Sequence, residues 1–185
     1  RWSNGGDRNG RRVGKPLIDP EHRDPRLTST FGTGQLLSTA LDAGLRKIIL
    51  GIGGSATNDG GTGMARALGI RFTDGDGNDL PEGGAALAGL QRIDMSRADR
   101  RLSSSEIIVA CDVDNPLCGP RGASAVFGPQ KGATPEMVVE LDAALAHYAE
   151  ISRLVTGRDV VDLAGSGAAG GLGAGLLLFT PAQLR

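Results

Sequence analysis

A glycine-rich loop that directly follows a short apolar run is the feature that most constrains the fold. Residues 47–52 read KIILGI, an apolar run rich in β-branched side chains. Such a run is typical of a strand that is buried on both faces of a parallel sheet. Residues 63–68 then have the pattern of a short helix that ends at Gly69. The order strand, glycine loop, helix predicts an anion site at the carboxyl edge of an open α/β sheet.

The loop combines exposed backbone with short polar side chains. Six glycines lie between residues 51 and 63, and without Cβ atoms their backbone N–H groups can approach a ligand closely. Hydroxyl, amide and carboxylate groups stand between them, a combination that favours a small polar anion. The candidate binding residues are Gly53, Gly54, Ser55, Thr57 and Asn58. For Asp59 two roles are open, because it either orders the loop or acts in catalysis or metal binding.

Two other interpretations of this loop stay open. Glycines between a strand and a helix also occur where the chain needs a tight crossover and binds no ligand. The spacing Gly51-x-Gly53-x-x-Ala56 also satisfies a loose dinucleotide fingerprint, with Asp74 at about the distance expected for a ribose-binding acid. A dinucleotide turn does not need residues 57–59, TND, directly behind it, and this favours the anion site.

A second buried strand is predicted at residues 106–110, and it leads into CDVDNPL. Parallel α/β proteins place their chemistry at such carboxyl ends. Asp112 and Asp114 would point the same way on an extended strand, so the pair could hold magnesium or take a proton from a hydroxyl. In the alternative, the aspartates cap a loop and Asn115 with Pro116 turns the chain.

A lysine follows in a turn that glycine and proline fix. Residues 128–132 read GPQKG, and Lys131 in this turn could present its ammonium to a transferring phosphoryl group. A solvated surface lysine is the alternative.

A second glycine-rich segment lies near the end of the chain. Residues 165–175 read GSGAAGGLGAG and satisfy the pattern Gly-x-Gly-x-x-Gly, but no acid follows about 20 residues later. Gly167 and Gly170 therefore serve either close helix packing or a second phosphate cradle.

Capping signals predict the remaining elements. A helix ends at Gly44, and a longer one begins at Pro135 after a Thr134 cap and ends at Gly157. A hairpin is predicted over residues 70–78 and a further strand over residues 160–163.

Composition excludes several classes of protein. A length of 185 residues suits one α/β domain, and a net charge of −1 gives no electrostatic footprint for nucleic acid or an anionic membrane. No apolar run is long enough to cross a bilayer and no signal-peptide pattern opens the chain, so a cytoplasmic location is expected. The two cysteines, Cys111 and Cys118, are too few for a disulfide framework.

Both ends indicate that neighbouring segments are missing. The chain opens on Arg1 without a methionine, and it ends just after an apolar helix that should lead to another element. Residues 1–15 are basic and almost without apolar side chains, which predicts a disordered tail or an end added for expression. We expect the domain to span residues 16–179, with residues 180–185 as a truncated end.

Two of these motifs resemble signatures of the first family of bacterial glycerate kinases. The glycine loop GIGGSATNDGGTGM is similar to one, and CDVDNPLCGPRGASAVFGPQKGA is similar to the second at nearly every position. The resemblance implies a flavodoxin-like or Rossmann-like three-layer α/β domain with a mainly parallel sheet, inserted into a second α/β domain. It also implies transfer of the γ-phosphoryl group of ATP, with Mg²⁺, to a hydroxyl of D-glycerate, with the 2-hydroxyl favoured.

The resemblance assigns roles to the candidate residues. Asp112 would act as base or, with Asp114, as metal ligand, while Lys131 would steady the charge on the γ-phosphoryl group. Substrate or phosphate would bind the glycine loop together with Asn115, Gly167 and Gly170. The partners implied are D-glycerate and ATP, with no nucleic acid and no membrane, and a homodimer is left open.

Two rival functions remain. The family's DSFKGSL, ADGGEGT and GEG-type segments are absent from this sequence, so a binding module without catalysis would explain the chain. A dinucleotide-dependent oxidoreductase would use Asp74 on the ribose. No Walker pattern G-x-x-x-x-G-K-[ST] occurs, which excludes an ordinary P-loop mechanism.

Overall fold

The fold is built on a short parallel sheet with helices packed against it. We describe it from a computed structural model, which covers residues 2–3, 19 and 23–185. Apart from residues 2–3, the predicted tail of residues 1–15 lies outside the described residues. In chain order the strands and α-helices are β1 (Trp2–Ser3), α1 (Phe31–Asp42), β2 (Lys47–Gly51), α2 (Thr62–Ala67), β3 (Arg71–Thr73), β4 (Arg92–Asp94), β5 (Glu106–Ala110), α3 (Ala123–Phe127), α4 (Pro135–Thr156), α5 (Ala168–Phe179) and β6 (Ala182–Leu184).

The main sheet has the strand order β1-β2-β5-β6, and every neighbouring pair is parallel. Ile48 stands opposite Ile107 and Leu50 opposite Val109, so the carboxyl ends of β2 and β5 lie side by side. The predicted α/β class with a mainly parallel sheet is confirmed. This register brings the two predicted chemical segments, which follow β2 and β5, to one edge of the sheet.

The prediction that residues 47–52 are buried on both faces is wrong. Ile48 and Leu50 are buried, but Ile49 between them is 41% exposed. The buried face packs against apolar side chains of α1, α2 and α5, including Leu37, Met64 and Leu172. The described residues leave the opposite face open, so burial alternates along β2 although residues 48–50 are all apolar.

Helix α5 lies at the centre of the domain. Its Leu172 and Leu176 belong to the cluster that covers the sheet, while Leu178 and Phe179 belong to a second cluster with α4 and β3. Two clusters meet at this helix, which explains why its sequence is apolar on all sides. Residues 169–171 have left-handed backbone angles, so the regular helix begins only after them.

Helix α4 confirms the capping prediction. The Thr134 side chain accepts a hydrogen bond from the Met137 N–H, and the helix ends at Gly157, whose φ is 70°. Tyr148 on its inner face donates to the carbonyl of Gly60 at 3.0 Å. The helix therefore supports the far side of the glycine loop.

Three sequence predictions need correction or extension. Residues 160–163 form turns and no strand, since the Val161 carbonyl accepts from Leu117 N and the Leu163 carbonyl from Ser166 N. In the predicted hairpin, Thr73 and Asp79 form an isolated bridge, but the strand partner of β3 is β4. Residues 182–184, predicted to lie beyond the domain, pair with β5 in the main sheet.

No helix in the described part of the chain combines the length and the apolar character that a bilayer crossing requires.

Candidate functional site

A cleft of about 270 Å³ lies where β2 and β5 end. Its walls come from four segments of the chain: residues 52–55 after β2, residues 111–113 after β5, residues 127 and 130–131 around the lysine turn, and residues 168–169 at the start of α5. This is the carboxyl edge at which open α/β sheets bind ligands. The position agrees with the anion site that the sequence predicts.

Gly53 and Gly54 give the cleft an edge of exposed backbone. A Cβ atom built on either residue would have no heavy atom within 4 Å, and Gly54 has a φ of +70°. Both residues are exposed, and both line the cleft. A ligand in the cleft can therefore reach their backbone directly, which suits an anion.

The polar residues of the same loop divide between the cleft and the interior. Ser55 is half-buried and lines the cleft. Thr57 is 8% exposed, and its hydroxyl donates to the Ala169 carbonyl at 3.5 Å. Asn58 is fully buried, and its Nδ2 donates to the Ser124 Oγ at 2.9 Å. Thr57 and Asn58 are outside the set of residues that line the cleft, so their contacts favour support of the loop over ligand contact.

Asp59 is fully buried and accepts four hydrogen bonds. Its Oδ2 accepts from the backbone and hydroxyl of Thr30, both at 2.8 Å, and from Gly63 N at 3.2 Å; its Oδ1 accepts from Gly61 N at 3.2 Å. Burial raises the pKa of this carboxyl, although the hydrogen bonds oppose the shift. These contacts tie α2 to the segment before α1 and support the loop-ordering role, while a catalytic role stays a prediction.

The two aspartates after β5 have different surroundings. Both follow the last residue of the strand, so strand alternation does not govern their directions. Asp112 is exposed and lines the cleft. Asp114 is outside the lining set and pairs with the exposed Arg121 at 3.2 Å. Across the described residues no three acidic, histidine or cysteine side chains gather as a metal site would require.

Lys131 lies in the wall of the cleft and is almost fully buried. It is 2% exposed, and its Nζ donates to the Thr57 carbonyl at 2.7 Å. The turn that holds it closes with Gly132 in a left-handed conformation. The solvated-surface alternative is wrong for this lysine, because the carbonyl contact keeps the ammonium inside the protein.

Asn115, Gly167 and Gly170 hold the loops together. The Asn115 Nδ2 donates to the Arg121 carbonyl at 2.7 Å, and the Asn115 carbonyl accepts from Gly167 N at 3.0 Å. A Cβ on Gly167 would lie 2.1 Å from the Pro116 carbonyl oxygen, and one on Gly170 would lie 1.9 Å from that of Thr57. These contacts favour close packing over a second phosphate cradle.

Comparisons with known proteins decide the family. Residues 10–185 match the model of the Glycerate kinase family. This chain belongs to that family. It is 56% identical over 172 residues to a glycerate kinase of Haemophilus influenzae and 52% identical over 172 residues to a glycerate 2-kinase of Escherichia coli. These matches cover 93% of this chain in both cases, but 46% and 45% of the two relatives.

A solved structure shows the same fold. A crystal structure of a glycerate kinase 2 from Salmonella typhimurium LT2 aligns with a TM-score of 0.93 at 57% identity, covering 94% of this chain and 47% of that one. The chain thus spans about half the length of the curated relatives it matches.

Several residues that line the cleft were missed by reasoning from the sequence. Cys111 and Gln130 are direct neighbours of the predicted Asp112 and Lys131, so the motif positions could have indicated them. Phe127 and Ala169 also line the cleft. Ala169 has a φ of 54°, and the glycines around it are the signal that the chain turns sharply there.

The dinucleotide interpretation loses support from the structure. Asp74, its candidate ribose acid, is outside the cleft lining and accepts hydrogen bonds from Asp76 N and Asn78 N in its own turn. A hydrogen bond from the Asn78 Nδ2, together with these two backbone bonds, lowers the pKa of Asp74. Its carboxylate therefore orders the turn after β3 in this member of the glycerate kinase family.

Proposed function

We propose that this chain carries the phosphoryl-transfer site of a glycerate kinase, which phosphorylates a hydroxyl of D-glycerate with ATP. The observation that carries the proposal is the cleft itself, where the exposed residues Gly53 and Gly54 line one cavity together with Lys131 and Asp112. Family membership supplies the reaction class, and the relative named glycerate 2-kinase favours the 2-hydroxyl.

The residues of the cleft have different roles in phosphoryl transfer. This reaction needs positioning and charge stabilisation more than covalent chemistry by the protein. The backbone at Gly53 and Gly54 holds an anionic group, and the buried Lys131 keeps positive charge close to it. Asp112 is the carboxylate that takes the proton from the attacking hydroxyl.

The cleft also fits a magnesium ion that arrives with ATP. Mg²⁺ in kinase sites is bound by one or two carboxylates together with phosphate oxygens and water, so a dedicated cluster of acidic residues is not required. In the other role open to it, Asp112 would hold the ion instead of taking the proton, and Asp114 would join only after release of Arg121. When bound, Mg²⁺ neutralises charge on the phosphates.

The remaining expectations belong to the same proposal. The described domain is the inserted α/β domain of a longer protein, which the match to about half the length of the relatives supports, and its cleft faces the second domain. The enzyme acts in the cytoplasm on D-glycerate and ATP. A homodimer is one arrangement that such a protein could take.

A chimera tests the activity. The 172 residues of the Haemophilus influenzae relative that match this chain are replaced by the residues of this chain, and ADP release is followed with D-glycerate, ATP and Mg²⁺. We expect turnover that depends on glycerate, and Asp112→Asn should lower kcat by about 10²- to 10⁴-fold. The unmodified relative serves as the positive control.

Two outcomes would contradict the proposal. A folded chimera that binds ATP and glycerate without releasing ADP would move the assignment to a binding module. Full turnover by the Asp112→Asn chimera would remove the role given to that carboxylate, even if the kinase activity stood.

A further inference from the structure

Ser124 is a buried serine to which no role has been given so far. It lies on α3 and has no solvent exposure, and its Oγ accepts a hydrogen bond from the Asn58 Nδ2 at 2.9 Å. Its carbonyl accepts from Gly128 N at 2.9 Å, at the start of the turn that carries Lys131. Ser124 therefore connects the glycine loop with the segment that presents the lysine.

A second hydrogen bond runs beside this one. The Lys131 Nζ donates to the carbonyl of Thr57, the residue before Asn58, at 2.7 Å. Two adjacent residues of the glycine loop are thus bonded to one short segment, residues 124–131, although the partners are 66 and 74 residues apart in the chain. Because both bonds join the same two segments, loss of one allows the other to open more easily.

The Asn58 amide depends strongly on its serine partner. The Asn58 Oδ1 is buried and has no hydrogen-bond partner within the described residues, and the Nδ2 donates to Ser124. A buried polar group that loses its partner keeps the full cost of desolvation. Without the serine hydroxyl, neither end of this amide would have a partner among the described residues, which favours movement of the loop away from α3.

We propose that Ser124 is a positioning residue for the site: through Asn58 it holds the segment of Lys131 against the glycine loop and so fixes the ammonium in the wall of the cleft. The kinetic consequence rests on the proposed phosphoryl transfer. The structural consequence, protection of the Lys131 ammonium, does not.

Lysine labelling measures that protection in the chain itself. The sequence has three lysines, Lys15, Lys47 and Lys131, and the Lys47 side chain is 85% exposed whereas Lys131 is 2% exposed. Acetylation by an N-hydroxysuccinimide ester is followed by mass spectrometry, with Lys47 as the internal standard. Ser124→Ala should raise the ratio of the acetylation rate of Lys131 to that of Lys47 about tenfold. This corresponds to a decrease of about 1.4 kcal/mol in the free energy needed to expose Lys131.

A matched control separates this effect from general loosening. Ser152 is also a fully buried serine, but it lies on α4 away from the cleft lining. Ser152→Ala should leave the labelling ratio unchanged. Asn58→Ala breaks the same bond from the other side and should raise the ratio as Ser124→Ala does, so it also covers the case in which one variant fails to fold.

The proposal is overturned if the ratio stays at its wild-type value in folded Ser124→Ala or Asn58→Ala protein, or if Ser152→Ala raises it equally. In the chimera, Ser124→Ala should lower kcat about tenfold while KM for glycerate stays within about twofold, because Lys131 acts on charge in the transition state. Equal changes in kcat for Ser124→Ala and Ser152→Ala would also overturn it. An inactive wild-type chimera contradicts the kinase proposal, and the labelling ratio still decides the role of Ser124.

Discussion

The glycine loop of residues 51–63 and the segment of residues 165–175 are both dense in glycine, but they have opposite surroundings. At Gly53 and Gly54 an added Cβ atom would meet no heavy atom within 4 Å. At Gly167 and Gly170 it would lie 2.1 and 1.9 Å from carbonyl oxygens of other segments. The first pair leaves backbone open to a ligand, and the second lets two pieces of backbone touch. Glycine density alone therefore does not distinguish a binding loop from a packing contact.

The glycine loop is open to ligand at its start and closely packed at its end. A Cβ on Gly60 would lie 2.6 Å from the Tyr148 ring, and one on Gly61 would lie 3.0 Å from the Cα of Gly175. Asp59 stands just before these two and is fully buried. One end of the loop thus faces the cleft, while the other is fixed in the core and holds it in place.

The largest expected effect is at the packed segment. Gly170→Ala forces a left-handed φ of +73° on a residue with a Cβ and pushes that atom into the Thr57 carbonyl. We expect a loss of about 3 kcal/mol in the free energy of unfolding, measured by urea denaturation. A loss below about 1 kcal/mol would show that the packed segment can shift to accept a Cβ atom. The proposed difference between the packed and the open glycines would then be wrong.

The buried end of the binding loop should be nearly as sensitive. The Asp59 carboxylate accepts hydrogen bonds from backbone N–H groups, and Asp59→Asn would place an amide N–H₂, which is itself a donor, against some of them. We therefore expect a loss of about 2 kcal/mol in the free energy of unfolding. Because the pKa of Asp59 is raised in the folded state, wild-type stability falls as pH rises from the usual aspartate range through the folded pKa. Asparagine does not ionise in this pH range, so the stability of the Asp59→Asn variant lacks this pH dependence.

Urea denaturation from pH 3 to pH 7 checks both statements. The difference in stability between wild type and Asp59→Asn should shrink as the pH rises. A difference that grows toward neutral pH would mean that the four hydrogen bonds outweigh burial and that the carboxyl titrates at lower pH when folded.

The open end of the loop should affect binding and not stability. Gly53→Ala adds a methyl group where no protein atom lies, so the free energy of unfolding should stay within about 0.5 kcal/mol of wild type. Affinity for ATP, measured by calorimetry, should fall about tenfold because the methyl enters the cleft. The matched control is Gly75→Ala, in an exposed turn where the nearest atom would be 3.8 Å away, and it should change neither quantity.

The smallest effect concerns the two thiols. Cys111 lines the cleft, whereas Cys118 is outside it and burial raises its pKa to about 12. Alkylation by iodoacetamide at pH 8 should therefore leave Cys118 almost unmodified. ATP at about three times its Kd should slow alkylation of Cys111 to about a quarter of its rate. Equal protection of both thiols would indicate that the ligand tightens the whole domain and does not cover this cleft.

Local signals explain which parts of the fold were predictable. Helix α4 follows from Thr134, Pro135 and Gly157, because a cap, a proline at the first position and a left-handed glycine act within one turn. The cleft at the ends of β2 and β5 also follows, since parallel neighbours place their carboxyl ends together. Asp112 and Lys131 are on its lining, as the motifs indicated.

Contacts between distant residues explain the remainder. The bond from Lys131 to Thr57 joins residues 74 apart, and no local pattern shows that this lysine is buried. The close approach of Gly170 to Thr57 likewise depends on the path of α5 through the centre of the domain. Residues 160–163 have strand-like composition, but the Val161 carbonyl accepts from Leu117 N in another loop and the Leu163 carbonyl accepts from Ser166 N nearby.

The four-segment construction of the cleft links ligand binding to the order of folding. The glycine loop and the start of α5 form two of its walls, and they are joined just behind the cleft where the Thr57 hydroxyl donates to the Ala169 carbonyl, 112 residues away in the chain. Contacts of such long range form late, because closing a long loop costs entropy before any contact rewards it. A nascent chain that has emerged only as far as α4 therefore has no complete cleft, and a ligand of this cleft can stabilise the protein only after α5 has packed into its centre.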